Sequence, residues 1–264
     1  MRIDIMTLFP DTVGDIMNES ILGRAQERGI IRINTWQIRD YTANKQNQVD
    51  DYPYGGGHGA VMQADPLYRC WEAICEDVGA PVHTIYMSPC GETFTQKTAR
   101  RLLRDCENII LVCGHYEGVD QRFLDECVDE EISLGDFVLT GGEIPAMAVA
   151  DCICRMVPGV LSDPECFEQE SHWDGLLEHP QYSRPEIWHG RQVPSILLSG
   201  NHALVDRWRK KQSILRTMRR RPDLFSKLIL PHKTRAEKKF IAELEAEDEE
   251  FRVKYAENVG KRKL

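Results

Sequence analysis

The sequence predicts an α/β fold with a mostly parallel sheet, followed by a smaller all-helical C-terminal domain. Two short, largely apolar runs, residues 82–87 and 109–113, are typical of strands that are buried on both faces. A helical pattern at residues 97–106 separates them, as in a strand–helix–strand unit. Beyond residue 160 the chain becomes polar and proline-interrupted, and from residue 199 its patterns are helical only.

The elements of the first part follow from their local patterns. Residues 2–9 are a strand candidate, residues 30–38 alternate like a strand, and Ser20 is placed to cap a helix that runs towards residue 28. Residues 54–59 form a loop, because so many glycines cannot hold a regular element. The remaining predicted elements are a helix at 65–77, an extended run at 131–139 and a helix at 144–157, the last with a proline in its first turn.

The changes in pattern divide the chain into three parts. The α/β domain takes residues 1–160, an interdomain linker takes 161–173, and the helical domain takes 174–264. One or two basic helices are predicted at residues 202–220, followed by a break at Arg221-Pro222-Asp223 and an acidic helical tail.

The composition narrows the class of protein. The chain has 264 residues, 42% of them hydrophobic, with no apolar run of 18 residues and no signal-peptide layout at the start, so a cytosolic protein without a membrane partner is expected. Its nine cysteines are irregularly spaced and form no Cys-x-x-Cys, which favours reduced thiols over disulfides. The eight histidines have no zinc-ligand spacing, so no metal-binding residues are predicted.

The charge is unevenly distributed along the chain. The net charge is −9, yet residues 207–221, here called the basic stripe, hold eight Lys or Arg and no acid. Residues 237–250 hold seven acids against two lysines. A local basic stripe on an acidic protein favours contact with a phosphate backbone, and the alternative is a merely solvated helix face.

Three glycine-bearing loops each follow a predicted strand. They span residues 86–91, 113–120 and 133–143. Each alone reads as an ordinary strand–helix turn, but three together predict a ligand site where the carboxyl ends of parallel strands meet. Neither a Gly-x-Gly-x-x-Gly fingerprint nor a phosphate-binding Gly-Lys-Ser/Thr is present. A nucleoside-like cofactor without a polyphosphate, such as S-adenosylmethionine, fits this pattern.

Several tracts together resemble one known family, the bacterial tRNA (guanine-N1-)-methyltransferases that act on guanosine 37, the TrmD family of the SPOUT class. The resemblance spans about residues 1–228 in colinear order. The tracts that carry it are Asp50–Gly57, Leu111–Asp120, Leu134–Ala146, Pro158–Leu161, Gly175–Leu177, Tyr182–Pro185, Leu198–His202 and Arg219–Leu224.

The resemblance implies a trefoil-knotted α/β domain, a homodimer, and a helical tRNA-binding domain on a flexible linker. It also implies that the three loops hold S-adenosylmethionine, and that activity requires Mg²⁺ at a site that no carboxylate cluster in the sequence identifies. The implied cofactor-binding residues are Tyr86, Ser88, Pro89, Gly114, Tyr116, Glu117, Leu134, Gly135, Asp136, Phe137, Val138, Leu139, Gly141, Gly142 and Pro145. Of these, Tyr116 and Phe137 read either as core aromatics or as adenine-stacking rings.

The implied catalytic residues are Glu170 and Arg155. The family has an Asp-Ser pair in the linker as its proposed general base, whereas this chain has Glu170-Ser171, one methylene longer. Asp174 and Glu178 are the nearby alternatives. Arg155 would face O6 of the guanine, or else be a solvated charge at a helix end. A second departure is His58, which replaces a proline in the family's glycine loop.

The partner implied is tRNA rather than DNA. The expected RNA-binding residues are Arg184, Asn201, His202, Arg207, Arg209, Lys210, Lys211, Arg216 and Arg220. Two rival functions stay open: a knotted methyltransferase acting on a ribose 2′-hydroxyl or a ribosomal base, and a catalytically inactive RNA-binding homologue.

Overall fold

The structure, a computed structural model, describes residues 1–57, 59–163 and 165–228, together with residues 242, 244 and 246. The chain divides into two units, Met1–Cys166 and Phe167–Leu264. The boundary between them falls within the stretch 161–173 that the sequence pattern assigns to a linker. Position 58 and nearly all of the acidic tail lie outside the described residues.

The first unit is built on a parallel sheet whose five strands have the order β2-β1-β6-β5-β7. A separate antiparallel pair, β3–β4, lies outside it. The strands are β1 (Arg2–Thr7), β2 (Arg32–Gln37), β3 (Asp50–Asp51), β4 (Val61–Met62), β5 (His83–Thr93), β6 (Asn108–Cys113) and β7 (Glu130–Ser133). The sheet and its parallel direction are those that the apolar runs predict.

Helices cover both faces of this sheet. They are α1 (Pro10–Met17), α2 (Ser20–Glu27), α3 (Ala64–Val78), α4 (Gln96–Asp105), α5 (Gln121–Cys127) and α6 (Glu143–Cys154), with a 3-10 helix at Ile38–Tyr41. Met6, Ile110 and Val112 on one face pack in a buried cluster with side chains of α3 and α5. On the other face α6 packs against β1 and β6, and it also contacts α1 and α4. Burial on both faces explains why β6 is apolar from Ile109 to Cys113.

Two local predictions in this unit are wrong. The extended run expected at 131–139 ends as a strand at Ser133, because the Ser133 hydroxyl hydrogen-bonds with Gly135 and that glycine turns the chain with a φ of 150°. Ser20 does not cap α2. It is itself the first helical residue, and the first helical hydrogen bond runs from the Gly23 N–H to the carbonyl of Glu19 at 3.1 Å.

The second unit is mainly helical in its described part. It contains most of α7 (Glu165–Glu168), a hairpin of β8 (Ile187–Trp188) and β9 (Arg191–Gln192), a 3-10 helix (Ser195–Leu198), α8 (His202–Arg220) and α9 (Pro222–Leu228). The hairpin is an addition that the sequence patterns do not predict. The basic stretch forms one continuous helix, α8. The Asn201 side chain caps its N-terminus by accepting a hydrogen bond from the Leu204 N–H.

Asp4 is a fully buried carboxylate on β1, the strand between the edge strand β2 and β6. It accepts hydrogen bonds from Arg2 Nε at 2.7 Å, from Asn34 Nδ2 at 2.7 Å and from Trp36 Nε1 at 2.8 Å. Asn34 and Trp36 lie on β2, so this one carboxylate fastens β1 to its edge neighbour. Every donor it holds would lose a charged acceptor if the side chain were shortened.

We therefore expect Asp4→Ala to lower the free energy of unfolding of the first unit by about 3 kcal/mol, because the guanidinium of Arg2 would lose its buried partner. Asp77→Ala is the matched control, since Asp77 bonds the same guanidinium but its side chain is 49% exposed. It should cost less than about 1 kcal/mol. Urea unfolding followed by circular dichroism measures both, and equal losses would contradict the role given to Asp4.

Candidate active site

A cleft of about 450 Å³ opens beside an irregular stretch of β5 and the carboxyl ends of β6 and β7. Three loops surround it: the Ser88 loop (residues 87–91), the Tyr116 loop (residues 114–121) and the Phe137 loop (residues 134–142). Its volume lies in the range of small-molecule sites, and its place at the carboxyl ends of parallel strands is where ligands bind in open α/β sheets.

The structure brings most of the predicted cofactor-binding residues together in this cleft. Those that line it are Tyr86, Ser88, Pro89, Gly114, Tyr116, Glu117, Leu134, Phe137, Val138, Leu139, Gly141, Gly142 and Pro145. Gly135 and Asp136 belong to the Phe137 loop but do not contribute to the lining. Residues that sequence reasoning missed include His115, Thr140 and Glu131. The first two stand beside predicted glycines, whereas Glu131 was hidden within an expected strand.

The Ser88 loop exists because β5 departs from its neighbour. The pairing of β5 with β7 shifts between Met87 and Glu92, so the intervening residues bulge out of the sheet. Gly91 ends this bulge against the backbone of β7, where an added Cβ would lie 2.4 Å from the carbonyl carbon of Glu131. Only glycine allows so close an approach.

The Phe137 loop is joined to β6 by a contact between two backbones. The Gly142 N–H donates to the carbonyl of Gly114 at 2.9 Å, and a Cβ on Gly142 would lie 2.7 Å from the Cα of Cys113. Gly114 in turn lies under the hydroxyl of Tyr86, which a Cβ at that position would meet at 2.7 Å. The floor of the cleft therefore consists of backbone segments in direct contact, with no side chain between them.

A buried polar network supports this contact. The Glu143 carboxylate bonds His115 Nε2 at 2.8 Å, and it accepts a hydrogen bond from Thr7 Oγ1 at 2.8 Å. The side chains of Glu143 and His115 are only 12% and 18% exposed. Burial, and next the nearby charge of Glu143, raise the pKa of the Cys113 thiol well above its usual value. Cys113 is therefore an inert core thiol and not a nucleophile.

The electrostatics of the cleft favour a ligand that carries positive charge. Glu117 and Glu131 line it, and the described residues of its lining include no lysine or arginine. Burial raises the pKa of Tyr86 to about 12, so its phenol stays a neutral hydrogen-bond donor at physiological pH. Tyr116 and Phe137 add half-exposed rings. This set suits an aromatic nucleoside with a cationic group better than a polyphosphate.

A larger depression, about 1360 Å³, lies along β3–β4. It is more open than the first cleft, and its lining combines acidic with aromatic side chains, among them Asp65, Glu126 and Tyr54. We assign the ligand site to the smaller cleft, because the backbone contacts of Gly91, Gly114 and Gly142 are made there. Among the described residues, no group of three or more His, Cys, Asp or Glu is placed to hold a metal ion.

The two predicted catalytic residues belong to different units. Arg155 is the C-terminal cap residue of α6 in the first unit, and its backbone N–H bonds the carbonyl of Asp151 at 3.0 Å. Glu170 is half-buried and lies two residues after α7 in the second unit. The Glu170 carbonyl lies 3.4 Å from the Trp173 N–H that donates to it.

The two alternative carboxylates are engaged in local contacts. Asp174 accepts a hydrogen bond from Lys210 Nζ at 2.9 Å and another from the Leu176 N–H at 3.0 Å. Partial burial raises the pKa of Asp174, but these bonds outweigh it and leave the pKa below its ordinary value. The Glu178 side chain accepts a hydrogen bond from Gln181. A carboxylate with a lowered pKa is a weaker proton acceptor, which disfavours Asp174 as a base.

The predicted RNA-binding residues differ in how accessible they are. The exposed ones are Arg184, Asn201, His202, Arg207, Lys210 and Arg220, and the half-buried ones are Arg209, Lys211 and Arg216. Several of the cations have partners, among them Lys210, which bonds Asp174, Arg209, which pairs with Asp206, and Arg216, which donates to the Glu178 carbonyl. None of the described helices is both long and apolar enough to cross a membrane.

An open parallel sheet with a cleft at its strand ends, lined by glycines, aromatic rings and carboxylates, defines an α/β protein with a candidate small-molecule site. Comparison with known proteins gives the particular family. A model of the family described as tRNA (Guanine-1)-methyltransferase TrmD matches residues 1–227. The chain therefore belongs to this family.

Proteins named tRNA (guanine-N(1)-)-methyltransferase are among its similar relatives. The one from Ruminiclostridium cellulolyticum is 51% identical over 228 residues, which cover 86% of this chain and 97% of the relative. The one from Lachnospira eligens is 50% identical over 232 residues, 88% of this chain and 98% of the relative. The one from Desulforamulus reducens is 48% identical over 246 residues, 93% and 95% of the two chains.

Proposed function

We propose that this protein transfers a methyl group from S-adenosylmethionine to N1 of guanosine 37 in tRNA. The observation that carries the proposal is the cleft itself, whose backbone floor, aromatic rings and two carboxylates suit a cationic nucleoside. Membership of the tRNA (Guanine-1)-methyltransferase TrmD family supports the reaction, and the names of the relatives support the target atom.

The residues of the cleft fit the methyl donor in charge and shape. Tyr116 and Phe137 offer rings for the adenine, and the Tyr86 hydroxyl offers a neutral donor. Glu117 and Glu131 offer negative charge towards the ammonium and sulfonium groups. When bound, S-adenosylmethionine supplies a methyl group made electrophilic by its positively charged sulfur.

The protein's own catalytic work is to remove a proton and to hold the resulting charge. N1 of guanine carries a proton and is a poor nucleophile until that proton leaves. Glu170 accepts the proton, and Arg155 stabilises the negative charge that develops on O6. Once deprotonated, N1 would take the donor's methyl group, and the sulfur would keep the electron pair of the bond that breaks. Because N1 lies on the Watson–Crick edge, the base must be splayed out of its loop first.

The substrate is held by the second unit in this account. Exposed cations such as Arg184, Arg207 and Arg220 are available to phosphates of a tRNA. We further propose a homodimer that acts in the cytoplasm. The trefoil knot and the magnesium requirement stay predictions from the family resemblance. Light scattering tests the dimer, and titration of Mg²⁺ into the transfer assay tests the requirement.

The direct test of the function is methyl transfer onto unmodified tRNA transcripts with guanine or adenine at position 37, followed by mass spectrometry of the nucleosides. We expect 1-methylguanosine from the guanine transcript only. A ribose-methylated nucleoside, or a methylated base elsewhere, would favour a methyltransferase with another target. Failure to bind S-adenosylmethionine at all would favour an inactive RNA-binding homologue.

The first variant tests the cleft. A Cβ on Gly141 would lie 2.2 Å from His115 Nε2 and 2.6 Å from a Glu143 carboxylate oxygen. Gly141→Val should therefore displace the network beneath the cleft and abolish S-adenosylmethionine binding while the sheet stays folded. Calorimetry measures the binding, and circular dichroism checks the fold. Gly14→Ala is the control, because its added Cβ would meet only side-chain atoms at 3.9 Å. Unchanged affinity in Gly141→Val would place the ligand elsewhere.

The second set of variants tests the base. Glu170→Gln should bind both substrates yet slow methyl transfer by about a hundredfold or more, because the amide cannot accept the N1 proton. Glu170→Asp should be milder. Single-turnover rates at saturating tRNA and cofactor separate the chemical step from binding.

Asp174→Asn and Glu178→Gln are the matched controls in the same segment, and both should fall by far less. Near-normal transfer by Glu170→Gln together with collapse in one control would assign the role to that neighbour. If all three amide variants stay active, no carboxylate of this segment is the base.

A further inference from the structure

Residues 170–178 form a closed loop, here called the Glu170 loop. Its ends are tied together, since the Ser171 hydroxyl accepts a hydrogen bond from the Glu178 N–H at 3.0 Å. Inside it the His172 N–H bonds the carbonyl of Leu176 at 2.8 Å. The Trp173 ring also packs on Phe167 of α7, with 5.1 Å between the ring centroids. The proposed base therefore stands at the start of an ordered loop.

The Glu170 loop is fastened to the basic helix α8 at three points. Lys210 Nζ bonds the Asp174 carboxylate at 2.9 Å, the Leu177 N–H donates to Thr217 Oγ1 at 2.8 Å, and Arg216 Nη1 donates to the carbonyl of Glu178 at 2.8 Å. Lys210 and Thr217 are seven residues apart, two turns of the helix, so they lie on one face. That face carries the loop.

The burial and the hydrogen bonds of Thr217 fit a role in holding the Glu170 loop rather than in contacting tRNA. This threonine is fully buried, and its hydroxyl donates to the carbonyl of Ser213 at 2.7 Å while accepting from Leu177. A residue without exposed surface cannot contact a phosphate. Lys210, by contrast, is exposed, and exposed ion pairs contribute little to the free energy of unfolding, so its bond to Asp174 chiefly orients the loop.

We infer that Thr217 and Lys210 are positioning residues that hold the Glu170 loop on α8. Helix α8, whose exposed cations are available to tRNA, thus also positions the proposed base Glu170. Binding of tRNA to α8 and placement of the Glu170 carboxylate are therefore coupled. This inference rests on the proposed function, since it assigns these residues to the step in which Glu170 takes the N1 proton.

The test compares Thr217→Val, which keeps the shape but removes the hydroxyl, with Thr217→Ser, which keeps the hydroxyl. Thr217→Val leaves the Leu177 N–H without its acceptor. We expect the single-turnover rate at saturating tRNA and cofactor to fall about tenfold, the equivalent of about 1.4 kcal/mol, with tRNA affinity unchanged. Thr217→Ser should restore most of the rate. An unchanged rate in Thr217→Val overturns the inference, and so does an equal loss of affinity and melting temperature in both variants.

Exposed variants on the same helix provide a second test that does not disturb the core. Lys210→Ala should lower the single-turnover rate about threefold, the scale of an exposed ion pair, and this loss should vanish when Asp174→Asn is already present. Arg207→Ala removes the same charge from an exposed site on α8, and it should weaken tRNA binding and its salt dependence without changing the rate at saturation. If Lys210→Ala behaves like Arg207→Ala, Lys210 is a phosphate contact and the inference fails.

The two proposals can fail separately. If Glu170→Gln transfers methyl groups at the normal rate, the proposed base is wrong whatever the Thr217 variants do. If Glu170→Gln is inactive while Thr217→Val and Lys210→Ala keep the full rate, the base stands and the positioning role is wrong.

Discussion

The first unit depends on one contact, the approach of the Gly142 backbone to the end of β6. In the sheet order, β7 is an edge strand and β5 lies between it and β6. The Phe137 loop must therefore cross β5 to reach the end of β6, where the Gly142 N–H donates a hydrogen bond to the Gly114 carbonyl. A side chain at Gly142 would meet backbone atoms that cannot move aside. The Glu143 carboxylate stabilises this contact through hydrogen bonds with His115 of the Tyr116 loop and Thr7 of β1.

The cleft and the basic helix have opposite charge requirements, and the chain meets them in separate units. The cleft carries Glu117 and Glu131, which suit a cationic methyl donor. The helix α8 carries the basic stripe, which suits phosphate. A net charge of −9 averages the two and describes neither surface. The Glu170 loop adds a carboxylate to the unit that carries the cations, and its bonds to Lys210 and Thr217 keep it there.

The strands and helix ends that depend on local or repeated sequence patterns could be predicted from the sequence. The apolar run at 109–113 predicted β6 because burial on both faces leaves no polar position, and the break at Pro222 predicted the end of α8. Contacts between residues that are far apart in the sequence could not be predicted. His115 and Glu143 are 28 positions apart, and the sequence around neither residue predicts their hydrogen bond. In the sequence Thr217 looks like an ordinary helix residue, yet its hydroxyl accepts a hydrogen bond from the N–H of Leu177, 40 positions away. The strand expected through Leu139 ended early because one serine bonds back to Gly135.

The contact between Gly142 and β6 is part of the fold, so we expect it to be present before any ligand binds. Amide hydrogen exchange of the protein without S-adenosylmethionine measures this directly. The Gly142 amide should exchange as slowly as the amides of β6, at least about a hundredfold more slowly than the amide of Val138, a residue of the same loop that is 80% exposed. Exchange of Gly142 at the rate of Val138 would mean that the backbone floor of the cleft forms only when the ligand binds.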